Sequence, residues 1–289
     1  MAEQNEACDN RCEGCGKDCE KRDLREKPGE GSRIRKVIGI VSGKGGVGKS
    51  LVTSLSACKT QRDGFRTAIL DADITGPSIP TAFGLGEEKA EAGLRMSKDG
   101  KQLEYIKPVV SEKGTQIMSM NFLLPDQTDP VIWRGPIISG VVRQFWTNVI
   151  WEDVDIMFVD CPPGTGDVPL TVFQSIPVDG IIVVASPQQL VRVIVEKAVK
   201  MATEMNVPIL GLVENMSYVK CPDCGKEIRI FGENNIHGIA DDFGLKVLAR
   251  IPVEQEMSVA IDNGEVEALS VDYVNDVAAA VEALLSQSA

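Results

Sequence analysis

Gly43-Lys44-Gly45-Gly46-Val47-Gly48-Lys49-Ser50 decides how this 289-residue chain is read. Two glycines at its ends followed by a lysine and a hydroxyl residue are the spacing of a phosphate-binding loop. Glycines let backbone N–H groups turn inward around phosphate oxygens, Lys49 places a point charge on them, and Ser50 offers an oxygen to magnesium. The flanks agree: apolar residues 37–41 read as a strand entering the loop, and Leu51 onwards reads as a helix leaving it. Lys44, directly after the first glycine, is a charge that a generic loop of this kind does not require.

Outward from the loop, short β-branched runs alternate with helical patterns. Residues 67–70, 156–159, 180–185, 209–213 and 247–251 read as further strands. Residues 49–63, stopped at Gly64, then 137–147, 188–205, stopped before Pro208, and 271–285 read as helices. Strands alternating with helices predict an α/β fold, a mostly parallel sheet flanked by helices on both faces. Between residues 85 and 116 the pattern weakens into Lys, Glu and Gly, with strand-like pieces at 103–110 and 116–120, which reads as an insertion or hairpin.

Composition narrows the function. Thirty basic against 42 acidic side chains give a net charge of -12, and everything after Arg250 holds eight acidic residues and no Lys or Arg. That balance argues against nucleic acid and against an anionic membrane as partners. No apolar run reaches the ~18 residues of a membrane span, and the first thirty residues carry no signal-peptide core, so a cytoplasmic location is expected. Eight cysteines in a reducing compartment point to metal or redox chemistry in preference to disulfides.

Four of them, Cys8, Cys12, Cys15 and Cys19, lie in a polar segment, residues 1–36, with nine acidic and nine basic residues and no hydrophobic periodicity. This reads as a metal-binding extension ahead of an ATPase domain at 37–289. Its C-x3-C-x2-C-x3-C spacing supplies four thiolates, enough for an iron-sulfur cluster or zinc. Cys221-Pro222-Asp223-Cys224-Gly225 is a knuckle of only two thiolates, and the single histidine, His237, would add one ligand at most. A two-fold axis through the knuckle would make four donors from two. Cys58 and Cys161 stand alone and read as packing residues.

The GKGGVGKS string resembles the deviant Walker A loop of the MinD, ParA, ArsA and nitrogenase-iron-protein class of dimeric P-loop ATPases. The resemblance implies that Lys44 reaches the partner subunit's nucleotide, that Asp160 is a Walker B residue holding magnesium, and that Asp73, in Asp71-Ala72-Asp73, positions the attacking water. It further implies that Cys161-Pro162-Pro163-Gly164-Thr165-Gly166-Asp167 is a switch sensing the terminal phosphate, and that Asn215 reads adenine. Lys44, Lys49 and Asp73 are thus the candidate catalytic residues, and residues 43–50 with Asp160 and Asn215 the candidate nucleotide site. Within that class, Asn215-Met216-Ser217-Tyr218 running into the knuckle, Asp71 to Pro80, and Trp133-Arg134-Gly135-Pro136 resemble the Mrp/ApbC-type iron-sulfur cluster carriers. That likeness implies a homodimer whose Cys221 and Cys224 pairs hold a bridging [4Fe-4S] cluster, delivered to apo-proteins at the expense of ATP.

Three rivals remain at this stage. A positioning ATPase similar to MinD or ParA would need a basic membrane helix or a DNA-binding patch, and it leaves six cysteines idle. An electron-transfer ATPase would keep its cluster, whereas a carrier gives it up. A zinc-stabilised module with a structural nucleotide site would hold no iron.

Overall fold

A computed structural model describes residues 25–96, 100, 102–125, 135–164, 167–187, 191–232 and 235–286. Cys8, Cys12, Cys15 and Cys19 lie outside the described residues, as do Trp133, Arg134, Thr165 and Gly166.

The chain enters the sheet through β1 (Ile34–Ser42), turns through the glycine loop, and leaves along α1 (Lys49–Arg62). β2 (Thr67–Asp71) follows, then the short α2 (Ile79–Ala82). The weakly patterned region becomes a separate antiparallel hairpin, β3 (Ala92–Met96) with β4 (Gln102–Ile106), followed by β5 (Val109–Val110) and β6 (Gln116–Met118). α3 (Gly135–Thr147), β7 (Val154–Asp160), α4 (Asp167–Ser175), β8 (Gly180–Ala185) and α5 (Val191–Glu204) continue the alternation. After β9 (Ile209–Glu214) comes a two-stranded hairpin, β10 (Val219–Lys220) with β11 (Glu227–Ile228). The described chain closes with α6 (Ile236–Asp242), β12 (Val247–Arg250), α7 (Gln255–Asp262) and α8 (Asn275–Ser286).

Eight strands form one sheet in the order β12-β9-β8-β1-β7-β2-β6-β5, parallel throughout except where β5 runs against β6. The fold expected from the alternation is the fold observed. Its central strands are buried on both faces, so successive residues feed two cores. Val37 and Val41 pack with Trp146, Val172 and Val195 under α3, α4 and α5. Ile38 and Ile40 pack with Leu55, Val277 and Val281 under α1 and α8. α1 is rich in small and hydroxyl side chains, and Ser54 and Thr60 return their hydroxyls to carbonyls of their own helix. That arrangement lets a polar helix sit in the interior without orphaned hydroxyls at those positions.

The structure differs from expectation in two places that matter. Residues 116–118 join the main sheet beside β2, with Ile69 opposite Ile117, so within this weakly patterned region the β3–β4 hairpin alone stands apart from it. Three residues are too few to show a strand period. The other difference is the boundary placed at residue 36. β1 begins at Ile34, and residues 26–33 are tied to the body: Glu26 N–H donates to Ser175 O (2.8 Å), the indole of Trp146 donates to Glu26 O (2.8 Å), and Arg33 N–H donates to Trp151 O (2.9 Å). A buried indole needs an acceptor, and this charged stretch supplies one from its backbone, a contact invisible to hydrophobic patterning.

Candidate functional site

β1, β2, β7, β9 and β12 all deliver their last residues to the same edge, the carboxyl edge of the sheet, where open α/β folds carry ligands. There β1 gives way to the glycine loop, in which Gly46 (φ 75°) and Gly48 (φ 77°) are left-handed. A side chain at Gly48 is excluded twice. Its backbone is unfavourable, and a Cβ would lie 2.1 Å from Asn215 Nδ2. Gly48 also caps α1, and neither a side-chain cap nor a first-turn acid neutralises that helix end. Left-handed glycines ahead of a 14-residue helix whose first turn has no side-chain cap are the backbone setting of an anion site.

Below the loop lies a compact acid-base cluster. Lys49 is 6% exposed, with Nζ 2.8 Å from Asp160 Oδ1 and 3.9 Å from Asp73 Oδ2. Ser50 Oγ donates to Asp160 Oδ2 (2.6 Å), and Thr53 Oγ1 donates to Asp160 Oδ1 (2.7 Å). Asp71 faces Asp160 across the β2–β7 register and accepts from Ser119 Oγ (2.9 Å) and from Asp73 N–H (3.2 Å). Burial alone would pull the Lys49 ammonium down, but Asp160, Asp73 and Asp71 together hold it above its ordinary value. Burial, then repulsion from Asp160, pushes the Asp71 carboxyl well above the usual range, and Asp73 is raised for the same two reasons against the pull of Lys49. Three carboxylates around one ammonium leave this pocket rich in hard oxygen donors. Ser50 and Asp160 are the donor types a magnesium ion takes.

The segment expected to act as a switch begins against the same loop. Cys161 N–H donates to Ile40 O (3.1 Å), Gly164 N–H donates to Ser42 O (2.8 Å), and Pro163 Cγ lies 3.8 Å from where a Cβ on Gly45 would stand. Lys44 is half-buried on the outer turn, its carbonyl accepting from Ser42 Oγ (3.0 Å). Asn215, 1% exposed at the end of β9, donates from Nδ2 to Val47 O (2.9 Å) and so abuts the loop directly. Residues 43–50, Asp71, Asp73, Asp160 and Asn215, scattered over more than 170 positions, are thereby brought to one place.

The knuckle projects from the same edge, carried by the β10–β11 hairpin. Cys221 N–H donates to Lys226 O, and Gly225, left-handed at φ 70°, donates to Cys221 O. Cys221 is half-buried and Cys224 exposed. Backbone N–H groups of Cys224 and Asp223 hold the Cys221 thiol below its ordinary range. Burial pushes the Cys58 and Cys161 thiols up to about 12. Those two are inert packing residues, and Cys221 is the thiol whose ionised form the backbone favours.

Several participants escaped the sequence reading. Thr53 is one helical turn beyond Lys49 and Ser50, a spacing that would have placed it on their face of α1. Ser119 had no comparable signal, because it follows a strand of only three residues, too short to orient. Glu214, Ser217 and Arg250 form a cluster at the root of the knuckle: Arg250 Nε lies 3.2 Å from Glu214 Oε2 and 3.1 Å from Ser217 Oγ.

A strand, a glycine loop leading into a buried helix, and acids at the ends of β7 and β2 define a P-loop NTPase. Comparisons with known proteins agree. Residues 33–287 match the family described as "ParA: NUBPL iron-transfer P-loop NTPase". The chain belongs to that family. It is 43% identical over 234 residues to an iron-sulfur cluster carrier protein of Clostridium perfringens, covering 81% of each chain. It is 36% identical over 268 residues to one of Methanococcus maripaludis, covering 90% of each. Among solved structures, a nucleotide-binding protein from Archaeoglobus fulgidus in complex with ADP superposes with a TM-score of 0.72 at 37% identity, over 84% of this chain and 91% of that one. MinD in the MinC:MinD complex of Aquifex aeolicus shares the fold at a TM-score of 0.58 and 16% identity, over 86% of this chain and 96% of that one.

Proposed function

We propose that this protein is an ATP-hydrolysing carrier that binds an iron-sulfur cargo, a [4Fe-4S] cluster, between the Cys221–Cys224 knuckles of two copies and transfers it to apo-proteins in the cytoplasm. The observation that carries the reading is the knuckle itself: two accessible thiols, one of them acidified by backbone amides, standing on the sheet edge that also bears the phosphate loop. Among the described residues, no group of three or more His, Cys, Asp or Glu side chains is placed to hold a metal. Two thiolates per copy then reach four by symmetry.

The chain's own residues divide the work at the nucleotide. Amides of residues 45–50 and the α1 end bind phosphate oxygens, and Lys49 transfers its contact from Asp160 to them. Asp73 orients the attacking water, and Lys44 serves the nucleotide of the partner copy. Asn215 holds the loop and the base. Magnesium held by Ser50 and Asp160 would supply charge neutralisation on the phosphates. Cys8, Cys12, Cys15 and Cys19 hold a second cluster or zinc, tethered to the body through residues 26–33.

Anaerobic reconstitution with iron and sulfide, followed by Mössbauer spectroscopy and transfer to an apo-acceptor, tests the reading. The Cys221→Ala/Cys224→Ala double variant should lose the interface cluster and keep nucleotide binding. A double variant that still binds a full interface cluster refutes it, and a cluster that cycles redox state without leaving would favour electron transfer.

A further inference from the structure

Five residues separate Asn215, whose side chain touches the phosphate loop, from Cys221. That short stretch is fastened at each step. Asn215 N–H donates to Ala185 O (2.8 Å), so its backbone belongs to the sheet. Met216 then takes a left-handed conformation (φ 57°), uncommon for a long side chain and held only where neighbours over-determine it. Ser217 N–H donates to Ile251 O (2.8 Å), and Ser217 Oγ donates to Glu214. Arg250 reaches across from β12. Its Nε serves both Glu214 Oε2 and Ser217 Oγ, and its guanidinium carbon lies 5.5 Å from the Tyr218 ring centroid. Tyr218 O in turn accepts from Val253 N–H (2.8 Å). A second tie follows at Lys220, whose Nζ is 3.3 Å from Tyr273 Oη, while Tyr273 donates to Glu254 Oε1 (2.8 Å).

Glu214 and Ser217 are 3% and 4% exposed and the Arg250 side chain 28%, so the carboxylate and the bridging hydroxyl are interior while the guanidinium keeps partial access to solvent. Interior ionic clusters stabilise little net and are most defensible where they fix one geometry. What they fix here is the angle at which the backbone leaves β9 to become the knuckle. At its other end the same backbone carries the amide that seats on Val47 of the loop.

We propose that Arg250, with Glu214 and Ser217, is a positioning group that makes the Asn215–Cys221 stretch a rigid arm, so that phosphate-loop occupancy sets the exposure of the Cys221 thiol within a single copy. The inference rests on reading the loop as a nucleotide site and the knuckle as its output. Loop movement displaces Val47 O, Asn215 follows through its hydrogen bond, and the arm passes the displacement on because Arg250 prevents it from being absorbed at Met216. With the clamp loosened, the two sites would keep their separate chemistries and lose their communication.

The test uses the full-length protein without iron. Iodoacetamide alkylation of Cys221 is followed by peptide mass spectrometry with and without magnesium AMPPNP, in the wild type, in Arg250→Lys and in Ser217→Ala. Arg250→Lys keeps the charge but not the two-acceptor Nε geometry or the planar contact with Tyr218. Ser217→Ala removes only the bridging hydroxyl and guards against a folding defect in the other variant. Nucleotide should change the wild-type alkylation rate by about fivefold or more, the lower end of ordinary site coupling. In both variants that change should fall below about twofold while the AMPPNP dissociation constant stays within about twofold of wild type. A merely structural role would not separate these two readouts. The proposal is overturned if the wild type shows no nucleotide response, if either variant keeps it, or if binding and response are lost together. Because iron takes no part, a chain that carried no cluster would still pass this test, and a genuine carrier coupled only through its dimer contact would fail it.

Discussion

Thr53→Val replaces the hydroxyl nearest Asp160 with a methyl group of the same size. Thr53 Oγ1 lies 2.7 Å from Asp160 Oδ1 and 3.1 Å from Lys49 O. Thr53 is fully buried and the Asp160 side chain only 1% exposed, so water cannot replace the lost donor. A hydrogen bond to a charged group is worth about 1.5–3 kcal/mol. An unfolding entropy of about 2.1 cal/mol/K per residue gives ~0.6 kcal/mol/K for this chain, so the nucleotide-free Tm should fall by about 3–5 °C. Thr53→Ser keeps the hydroxyl and loses one buried methyl, about 1 kcal/mol, or ~2 °C. Calorimetry on the three proteins measures both shifts. Steady-state hydrolysis at saturating magnesium ATP should separate the variants further: the Val protein loses about tenfold in kcat, because Asp160 is no longer held, and the Ser protein stays near wild type. A Val variant as stable and as active as wild type, or a Ser variant equally impaired, would show that Asp160 is oriented by Ser50 and Lys49 alone.

Asp71→Asn should stabilise the nucleotide-free protein at pH 8. A carboxyl raised in the native state contributes stability that is present below the unfolded value of about 3.9 and lost as pH rises through the folded one. The advantage of Asn should therefore shrink as the pH is lowered and Asp71 takes up its proton; urea midpoints at pH 8 and at a lower pH read the difference, and an advantage that grows on acidification refutes the reading. Gly48→Ala forces a left-handed alanine, costing about 1–2 kcal/mol, and drives a methyl into Asn215. Nucleotide affinity measured by calorimetric titration should drop by more than about tenfold, and unchanged affinity would place the phosphates elsewhere. Trp146→Phe removes the indole donor to Glu26 O, about 1 kcal/mol, and should speed tryptic cleavage after Arg25 about fivefold while the body stays intact. Equal cleavage rates would mean that the strap is held by its other contacts.

The parts of this molecule that were legible in its sequence are those whose chemistry demands a residue type at fixed spacing. A glycine loop between an apolar strand and a helix has few other uses, so Gly43 to Ser50 disclosed the fold and the pocket together. Asp160 and Asp71 announced themselves as acids ending β-branched runs. Thr53 and Ser119 gave no such notice, because a hydroxyl residue in a helix or a short strand is common and its partner lies far along the chain. The β10–β11 hairpin was equally silent. With two residues per strand, it owes its shape to Gly225 and to bonds around Cys221, not to any hydrophobic period. Residues 26–33 were misjudged because backbone groups, which every residue carries, make their contacts.

One asymmetry among the cysteines ties fold to purpose. A parallel sheet covered on both faces buries whatever lies along its strands and first helix, and Cys58 and Cys161 are protonated for that reason. Thiols that must exchange a ligand have to stand outside this cover, yet close enough to the carboxyl edge to sense what occupies it. A hairpin inserted immediately after β9 meets both demands. Its thiols reach solvent, while its root stays joined to the residue that packs on the phosphate loop. Placed after any helix of this fold, the same Cys-x2-Cys would be equally exposed but would start from the opposite edge of the sheet.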